Sequence, residues 1–473
     1  MAESSPALAS SDPLLKLFNL RVRRSQVGTE ILAGATTFVV MAYIIFVNPL
    51  ILGFSGIAPL AGKGLPFSAA MTSTCLVAGA MTLAMGLYTN RAFALAPGMG
   101  LNAVVAFQLV AGMGLSWPEA MGVIFLEGAA ITLLVATGLR EAVMHAVPLP
   151  LKKAISVGIG LFILFIGLWQ AGIVVQDKSG ATPVAMGELE GAPMLVALFG
   201  IGLTLVLTIR RVKGALLLSI LSTTALAVAL NAALGSRAFP TPGAAVLPSH
   251  LFQAPDFSLV GRFDPWGIFR RVGPLGAALT IFSILLADFF DTLGTLVGVG
   301  AQAGYLDEEG RFRDVGKPLL VDSLAAVAGG ICSSSSCTTY VESQAGVQVG
   351  GRTGLTSVVT GLLFFLFMPL APLVAMVPKE ATAGALIAVG IMMCGVLVNR
   401  EERLDLSDPE QAWPVVTTFI LMPLTYSITN GIGAGFLVYA LVRLVRGQRD
   451  PPVIYLTAAA FLVYFLRHLA TGN

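Results

Sequence analysis

Charged residues are scarce in this chain: of its 473 residues, 11% are charged and 56% are hydrophobic, and the mean hydropathy is +0.85. Such a balance excludes an ordinary water-soluble protein. Residues 31–53 form one of several apolar runs that reach the roughly 20 residues needed to cross the hydrocarbon core of a bilayer. Because backbone polar groups in lipid must be satisfied within the spanning segment, the chain is predicted to be an all-α polytopic membrane protein embedded in a lipid bilayer.

Histidine and cysteine are also rare, with three and four copies. The cysteines lack metal-ligand spacing and are interpreted as small packing residues. They are Cys75, Cys332, Cys337 and Cys394. His145 and His250 fall in predicted loops, and neither a His-Glu-x-x-His nor a Gly-x-Ser-x-Gly motif occurs. We therefore expect no enzymatic activity, no metal or other cofactor and no nucleic-acid partner.

The apolar runs predict fourteen spans in two sets of seven. They lie near 29–53, 68–88, 93–113, 117–138, 151–175, 194–209, 212–234, 275–301, 318–333, 338–350, 354–376, 382–398, 411–429 and 430–446. With a cytoplasmic N-terminus, 20 Lys and Arg residues fall inside and 7 outside, and this positive-inside bias supports the count and the orientation.

The two ends of the chain are less regular. Residues 1–28 lack an apolar core beside a cleavage site and are predicted to be a cytosolic tail. In the C-terminal segment 447–473, residues 453–470 are apolar but carry Arg467 and His468. A fifteenth span and a peripheral helix are both left open there.

The two sets of spans resemble each other. Residues 147–168 and 377–398 both begin with Val-Pro and continue, after a short spacer, as an apolar helix interrupted by glycine. Two units of seven spans each must run in opposite directions through the membrane. We therefore predict inverted repeats over 29–234 and 275–446, joined by an extracytoplasmic connector at 235–274, with the binding site at the repeat interface.

The third span of each repeat does not read as a continuous helix. Residues 91–107 contain a short strand-like run followed by Pro97-Gly98, and residues 336–351 open with a β-favouring cluster of Thr, Tyr and Val. Irregular backbone at membrane depth is tolerated where it lines a cavity, and the half-helices that follow it offer N–H donors. Short strands in spans 3 and 10 that frame a ligand are therefore predicted.

Three carboxylates lie inside the most apolar stretches. A charge at bilayer depth costs roughly 3 kcal/mol, so such residues usually face a polar pathway or a substrate. Asp288 and Asp291 are three residues apart, on one helix face, and Glu342 follows the β-favouring cluster. We expect the function at these three residues. Glu127 is interpreted as a packing or lateral polar contact and Asp322 as a helix cap.

These same regions carry a family resemblance. The chain resembles the nucleobase–cation symporter family 2, in its AzgA-like branch of adenine, guanine and hypoxanthine permeases. The matching stretches include FALAPGMGLNA, DFFDTLGTLVGV, TTYVESQAG and MPLTYSITNGIGAGF, and others lie at 36–52, 137–143 and 350–360. In the uracil and xanthine branch, span 8 carries Glu-His-Ile-Gly-His, whereas this chain has Asp291-Thr-Leu-Gly-Thr295. The loss of both histidines argues against a uracil or xanthine specialist.

The resemblance implies a core domain (29–138 and 275–376) and a gate domain (151–234 and 382–446), with the strands crossing near mid-membrane. It also implies import of purine nucleobases across the cell membrane by proton symport, through an elevator-like or rocking alternating-access movement. The preferred base is left open. A homodimer formed through the gate domain is compatible with the fold.

Asp291 and Glu342 align with the substrate and proton carboxylates of the family, and its AzgA-like members also use Asp288 and Asn102. We expect Glu342 to accept two N–H groups from a purine edge. Backbone groups near it would complete the rim and aromatic rings would cover the base. The candidates are Ala94, Leu95 and Val341 for the rim, and Phe93 and Phe289 for the rings.

For coupling, we expect Asp291, aided by Asp288, to load a proton before the base binds at Glu342. Sodium is the alternative ion, since two carboxylates and half-helix carbonyls also suit a hard cation. An anion transporter of the same architecture is the rival interpretation. Carboxylates between half-helix N-termini disfavour it electrostatically.

Overall fold

The computed structural model describes residues 17–20, 22–23, 25–55, 60, 62–138, 147–177, 182–234, 238–239, 243–305, 312, 314–395, 406–448 and 450–471. Most of these residues are helical. The helices of the first half are α1 (Val27–Met41), α2 (Ile44–Leu52), α3 (Phe67–Ala84), α4 (Met99–Ala103), α5 (Trp117–Ala136), α6 (Leu149–Gln170), α7 (Gly191–Ile209) and α8 (Ala215–Ala233). Two of them continue as π-helical segments, α3 through Met85–Thr89 and α4 through Val104–Gly112.

The second half is also helical. Its helices are α9 (Gly267–Ala303), α10 (Gly316–Ile331), α11 (Ser343–Val349), α12 (Gly354–Phe367), α13 (Ala371–Ala375), α14 (Lys379–Cys394), α15 (Pro409–Thr425), α16 (Ile428–Val445) and α17 (Pro452–Thr471). A 3-10 turn, Met368–Leu370, joins α12 to α13. In α9, Gly273 takes φ 75° and ψ 170°, a conformation open to glycine because it has no Cβ, and Pro274 disfavours helical geometry at this residue. The regular part of α9 thus starts at the predicted beginning of span 8.

Four short strands complete the described chain: β1 (Leu95–Pro97), β2 (Val174–Val175), β3 (Ala185–Met186) and β4 (Cys337–Thr339). β1 and β4 pair antiparallel, with Leu95 opposite Thr339 and Pro97 opposite Cys337, and every residue of both strands is buried. The predicted strands of spans 3 and 10 are therefore present and lie side by side. β2 and β3 form a separate hairpin between α6 and α7 that the sequence did not indicate.

Among the described residues, nine helices are long and apolar enough to cross a membrane. At the other predicted spans the helices are shorter or broken: α4 with its π extension, α10, α11, α14 and α15. The polytopic helical architecture is thus confirmed, whereas the count of fourteen stays a prediction. Helix α17 packs on α16 through Phe461 and Phe436, whose ring centroids lie 6.3 Å apart. Its apolar part, Pro452–Leu466, is among the shorter helices, so its path relative to the membrane stays open.

The helices pack in two groups. In one, α12 lies against α1 and α3, and α5 lies against α9 and α10; in the other, α6 lies against α14 and α15, and α7 lies against α14. Small residues allow the closest approach, as expected for helices in lipid. A Cβ placed on Gly160 of α6 would lie 2.7 Å from the carbonyl oxygen of Gly390 in α14, and one on Gly390 would lie 2.5 Å from that of Gly160.

Candidate functional site

A cavity lies where β1 and β4 meet, between the two groups of helices. Its polar wall comes from the start of α4 (Gly98–Leu101), the β4–α11 junction (Thr338–Glu342), Asp291 and Thr295 of α9, and Tyr43. The opposite wall is apolar and consists of Ile159 and Ile163 of α6 and Val389 and Met393 of α14. The cavity offers about 90 Å³ to the centres of water molecules, several times the room that one water needs. A ligand of several heavy atoms therefore fits this site.

Glu342 is placed in the cavity by the end of β4. It is the residue before α11, with φ −58° and ψ −18°, so the chain turns from strand to half-helix at this carboxylate. The Tyr43 hydroxyl donates a hydrogen bond to Glu342 Oε1 at 2.7 Å. Tyr43 lies at the break between α1 and α2 and is fully buried. The neutral Tyr43 hydroxyl therefore holds the Glu342 carboxylate in a fixed orientation in the cavity.

The two aspartates of α9 face different surroundings. Asp291 lines the cavity with Glu342, as predicted. Asp288 is 1% exposed, and its Oδ2 accepts a hydrogen bond from the Ser336 hydroxyl at 2.9 Å. The same hydroxyl lies 3.4 Å from Glu127 Oε2 on α5. The predicted pair on one helix face is thus divided between the cavity and a buried acidic contact behind β4.

Asp322 secures the strand crossing. Its Oδ1 accepts hydrogen bonds from the backbone N–H and the hydroxyl of Thr339, both at 2.7 Å, and its Oδ2 accepts one from Thr292 at 2.8 Å. The expectation that Asp322 caps a helix is wrong, because it lies inside α10 and the residue that precedes that helix is Val315. Asp322 instead ties β4 to α9 and α10.

Comparison with known proteins identifies the family. The model described as "Permease family", for xanthine/uracil-type permeases, matches residues 28–433. The chain belongs to this permease family. This permease is 39% identical to the adenine permease AdeQ of Escherichia coli over 452 residues, and the aligned region covers 95% of each chain. It is 37% identical over 440 residues to the guanine/hypoxanthine permease PbuG of Bacillus subtilis, covering 92% of this chain and 96% of that one. The resemblance drawn from the sequence motifs is confirmed, and so is the interpretation as a transporter and not an enzyme.

Solved structures with a similar fold also exist. The permease superposes on the transmembrane domain of the cyanobacterial bicarbonate transporter BicA with a TM-score of 0.57, over 86% of this chain and 96% of that one, at 17% identity. At such identity the likeness concerns the fold alone.

The structure places the three residues predicted for the rim of the permease's cavity in different surroundings. Val341 lines it, but Ala94 and Leu95 are not among the described residues that do. Their N–H groups already donate to Ser343 Oγ at 3.0 Å and to Thr82 Oγ1 at 2.9 Å. The backbone rim is supplied further along, by Gly98–Leu101.

The predicted aromatic covers lie elsewhere in the permease. Phe93 is fully buried and packs against Tyr305, with centroids 5.7 Å apart, while Phe289 is 2% exposed and packs against Phe290 at 5.5 Å. Neither is among the described residues that line the cavity, whose apolar wall comes from α6 and α14. Asn102 is also absent from that lining; it is fully buried, and neither atom of its amide has a hydrogen-bond partner.

Sequence reasoning missed the contributions of Tyr43 and Glu127. Tyr43 follows no Gly or Pro signal, and it is 299 residues away from Glu342 in the chain. The sequence shows Glu127 as an intramembrane polar group, but its proximity to Asp288 and Ser336 depends on how α5, α9 and β4 pack. The part of the chain that the structure describes contains no group of three or more His, Cys, Asp or Glu arranged to hold a metal ion.

Proposed function

We propose that this permease imports purine nucleobases of the adenine, guanine and hypoxanthine class by proton symport. The observation that carries the proposal is the Glu342 carboxylate, held by Tyr43 in a cavity whose opposite wall is apolar. The names of the relatives, an adenine permease and a guanine/hypoxanthine permease, support the same substrate class.

The cavity's chemistry suits a flat, neutral ring with polar edges. Glu342 accepts N–H groups from one edge of the base, in a charge-assisted pair that is stronger than a neutral hydrogen bond. Backbone groups at the start of α4 meet the ring's other polar atoms. The aliphatic side chains Ile159, Ile163 and Val389 pack against its faces, where burial of apolar surface contributes to binding.

Asp291 is the proposed partner of Glu342 in proton coupling, with Asp288 one turn away. Among the described residues that line the cavity there is no Lys, Arg or His. The negative charges of Asp291 and Glu342 therefore repel each other with no basic side chain in the described lining to compensate them. Binding of a proton neutralises one of these carboxylates before the binding site becomes accessible from the other side of the membrane. Sodium is the alternative ion, bound by the same oxygens.

The transport movement is proposed to be alternating access between a core domain and a gate domain, in an elevator-like or rocking manner. The polar groups of the cavity come from the start of α4, α9, the β4–α11 junction and Tyr43, whereas α6 and α14 contribute only apolar side chains to the described lining. An apolar wall without hydrogen bonds to the substrate lets the two groups of helices move past each other.

Fourteen spans in two inverted repeats are part of the proposal, and the packing supports them. In two related repeats, each contact should recur when both helices are replaced by their counterparts in the other repeat. The contact of α3 with α12 then corresponds to that of α5 with α10, and the contact of α7 with α14 to that of α6 with α15. All four contacts occur. Gly160 and Gly390, equivalent in the two similar stretches, touch each other. A cytoplasmic N-terminus rests on the charge bias, and a cell-membrane location and a homodimer rest on the family resemblance.

An anion substrate is the second candidate, since BicA is a bicarbonate transporter of similar fold. Glu342 and Asp291 disfavour it, because an anion in this cavity would be repelled by both carboxylates with no described basic side chain in the lining.

The test is uptake of radiolabelled hypoxanthine, adenine and guanine in a host that lacks their transporters. Glu342→Gln removes the charge and one acceptor, and should reduce uptake at least about tenfold, since charged hydrogen bonds contribute about 1.5–3 kcal/mol each. Glu380→Gln, a buried carboxyl at the start of α14, is the matched control and should retain uptake. Uptake that persists in Glu342→Gln would move the site elsewhere.

The ion is tested in sodium-free buffer. Uptake that collapses on addition of a protonophore supports protons. Uptake that requires sodium and survives the protonophore would replace the proton by sodium.

A further inference from the structure

Behind β4 lies a pair of acids with too few hydrogen-bond donors. Glu127 is fully buried, Asp288 is 1% exposed, and the Ser336 hydroxyl lies between them, 2.9 Å from Asp288 Oδ2 and 3.4 Å from Glu127 Oε2. The Ser336 hydroxyl has a single hydrogen for Asp288 Oδ2 and Glu127 Oε2. The remaining oxygens, Glu127 Oε1 and Asp288 Oδ1, have no hydrogen-bond partner.

The groups around the pair add negative charge and no positive charge. Asp322 on α10 and Asp291 on α9 are the ionisable side chains of the neighbouring elements that act on it, with the thiol of Cys337 on β4 beyond them. No described Lys, Arg or His is among them. Asp322 differs from the pair, because it accepts three hydrogen bonds and is satisfied as a carboxylate.

Two ionised carboxylates in this position would leave adjacent charges uncompensated and two buried acceptors without donors. Both are costly in a protein interior. One proton reduces both costs, since it neutralises one charge and adds a donor to a pair that has too few. Carboxylate pairs that share a buried site hold a proton for this reason.

We propose that Glu127 and Asp288 share one proton and form a proton-carrying site of this permease that is separate from the substrate carboxylate Glu342. The proposal rests on the proposed function and deepens it, because it gives Asp288, the residue proposed to aid Asp291, a proton-sharing partner on α5. In each cycle a proton from one side of the membrane forms an O–H bond on one carboxyl, hydrogen-bonded to the other. On the opposite side that bond breaks, and the proton leaves two carboxylates behind.

Ser336 connects the pair to the substrate cavity. Its hydroxyl contacts both acids, and its carbonyl oxygen accepts the backbone N–H of Gly98 at 2.9 Å. Gly98 is part of the cavity's rim. A base that displaces this rim therefore changes the position of the hydroxyl on which the acid pair depends, so proton and base occupancy are linked at one residue.

The experiment uses the full-length permease in liposomes. Glu127→Gln keeps an amide donor toward Asp288 but has no ionisable group, so it cannot load and release a proton. Exchange of labelled for unlabelled hypoxanthine, which needs no net proton movement, should continue. Accumulation driven by an imposed pH gradient should fall to the level seen without a gradient. Glu127→Asp should restore part of that accumulation. Glu410→Gln, a carboxyl paired with Arg446 at 2.7 Å, is the control and should behave as wild type.

Infrared difference spectroscopy detects whether a carboxyl group of the pair is protonated. The carbonyl stretch of the protonated pair should appear in wild type and in Glu410→Gln as a band that Glu127→Gln lacks, beside any band that a protonated Asp291 gives in all three. Gradient-driven accumulation that Glu127→Gln leaves unchanged, or a wild-type spectrum without that band, would overturn the proposal. If wild type exchanges none of the three bases, the proposed function fails, while the infrared band still decides whether the pair holds a proton.

Discussion

At the scale of single residues, the hydroxyl of Tyr43 is the group that orients Glu342. Tyr43→Phe keeps the ring and removes this donor. Hydrogen bonds to charged groups contribute about 1.5–3 kcal/mol, so we expect the KM for hypoxanthine uptake to rise by about tenfold or more. Tyr88→Phe, whose side chain is 58% exposed, is the control. An unchanged KM in Tyr43→Phe would mean that Glu342 binds the base without help from this hydroxyl.

Which residues carry charge into the membrane could be predicted from the sequence, because a buried carboxylate is anomalous in an apolar run. Where each side chain points could not. Asp288 and Asp291 are one turn apart, yet Asp291 faces the cavity and Asp288 faces Ser336. That division depends on the angle at which α9 packs against β4 and α5. The positions of Phe93 and Phe289 could not be predicted for the same reason, since both rings lie in packed interfaces and not in the described lining of the cavity.

At the scale of elements, the contact of α6 with α14 depends on two glycines. Gly390→Ala would place a Cβ 2.5 Å from the carbonyl oxygen of Gly160, and backbone cannot yield cheaply there. We expect a loss of about 1–3 kcal/mol in stability, visible as a lower Tm in detergent. Gly202→Ala in α7 meets nothing within 4 Å and should not lower the Tm. Equal Tm values for the two variants would show that this crossing adapts without strain.

Elements that are marked by proline, glycine or β-favouring residues could be predicted from the sequence. Pro97-Gly98 and the β-favouring residues after Cys337 marked the two strands, and Gly273-Pro274 marks the kink in α9. Elements without such a mark were missed. The break between α1 and α2 has no glycine or proline at Ala42 and Tyr43, and the two-residue strands β2 and β3 are too short to show alternation.

At the scale of the whole molecule, the proposed movement requires the two groups of helices to pass each other beside the cavity. Gly100 of α4 and Ile159 of α6 meet at this boundary, where a Cβ on Gly100 would lie 2.4 Å from Ile159 Cγ2. We expect Gly100→Ala to slow hypoxanthine exchange in liposomes, because overpacking costs about 1–3 kcal/mol in the arrangement described here. Shortening the opposing side chain should relieve it, so that Gly100→Ala/Ile159→Ala exchanges faster than Gly100→Ala alone.

Ile159→Ala alone is the reference for the lost apolar contact with the base. Rescue specific to the double variant would locate the rate-limiting contact at the boundary between the two groups of helices, as core-and-gate movement demands. If the double variant is as slow as Gly100→Ala, or slower, the added methyl group slows exchange by disturbing the rim of the cavity at the start of α4. It then does not hinder the movement of the two groups of helices. The boundary between Gly100 and Ile159 would then be a static wall of the cavity, and the moving surface would have to lie elsewhere between the two groups.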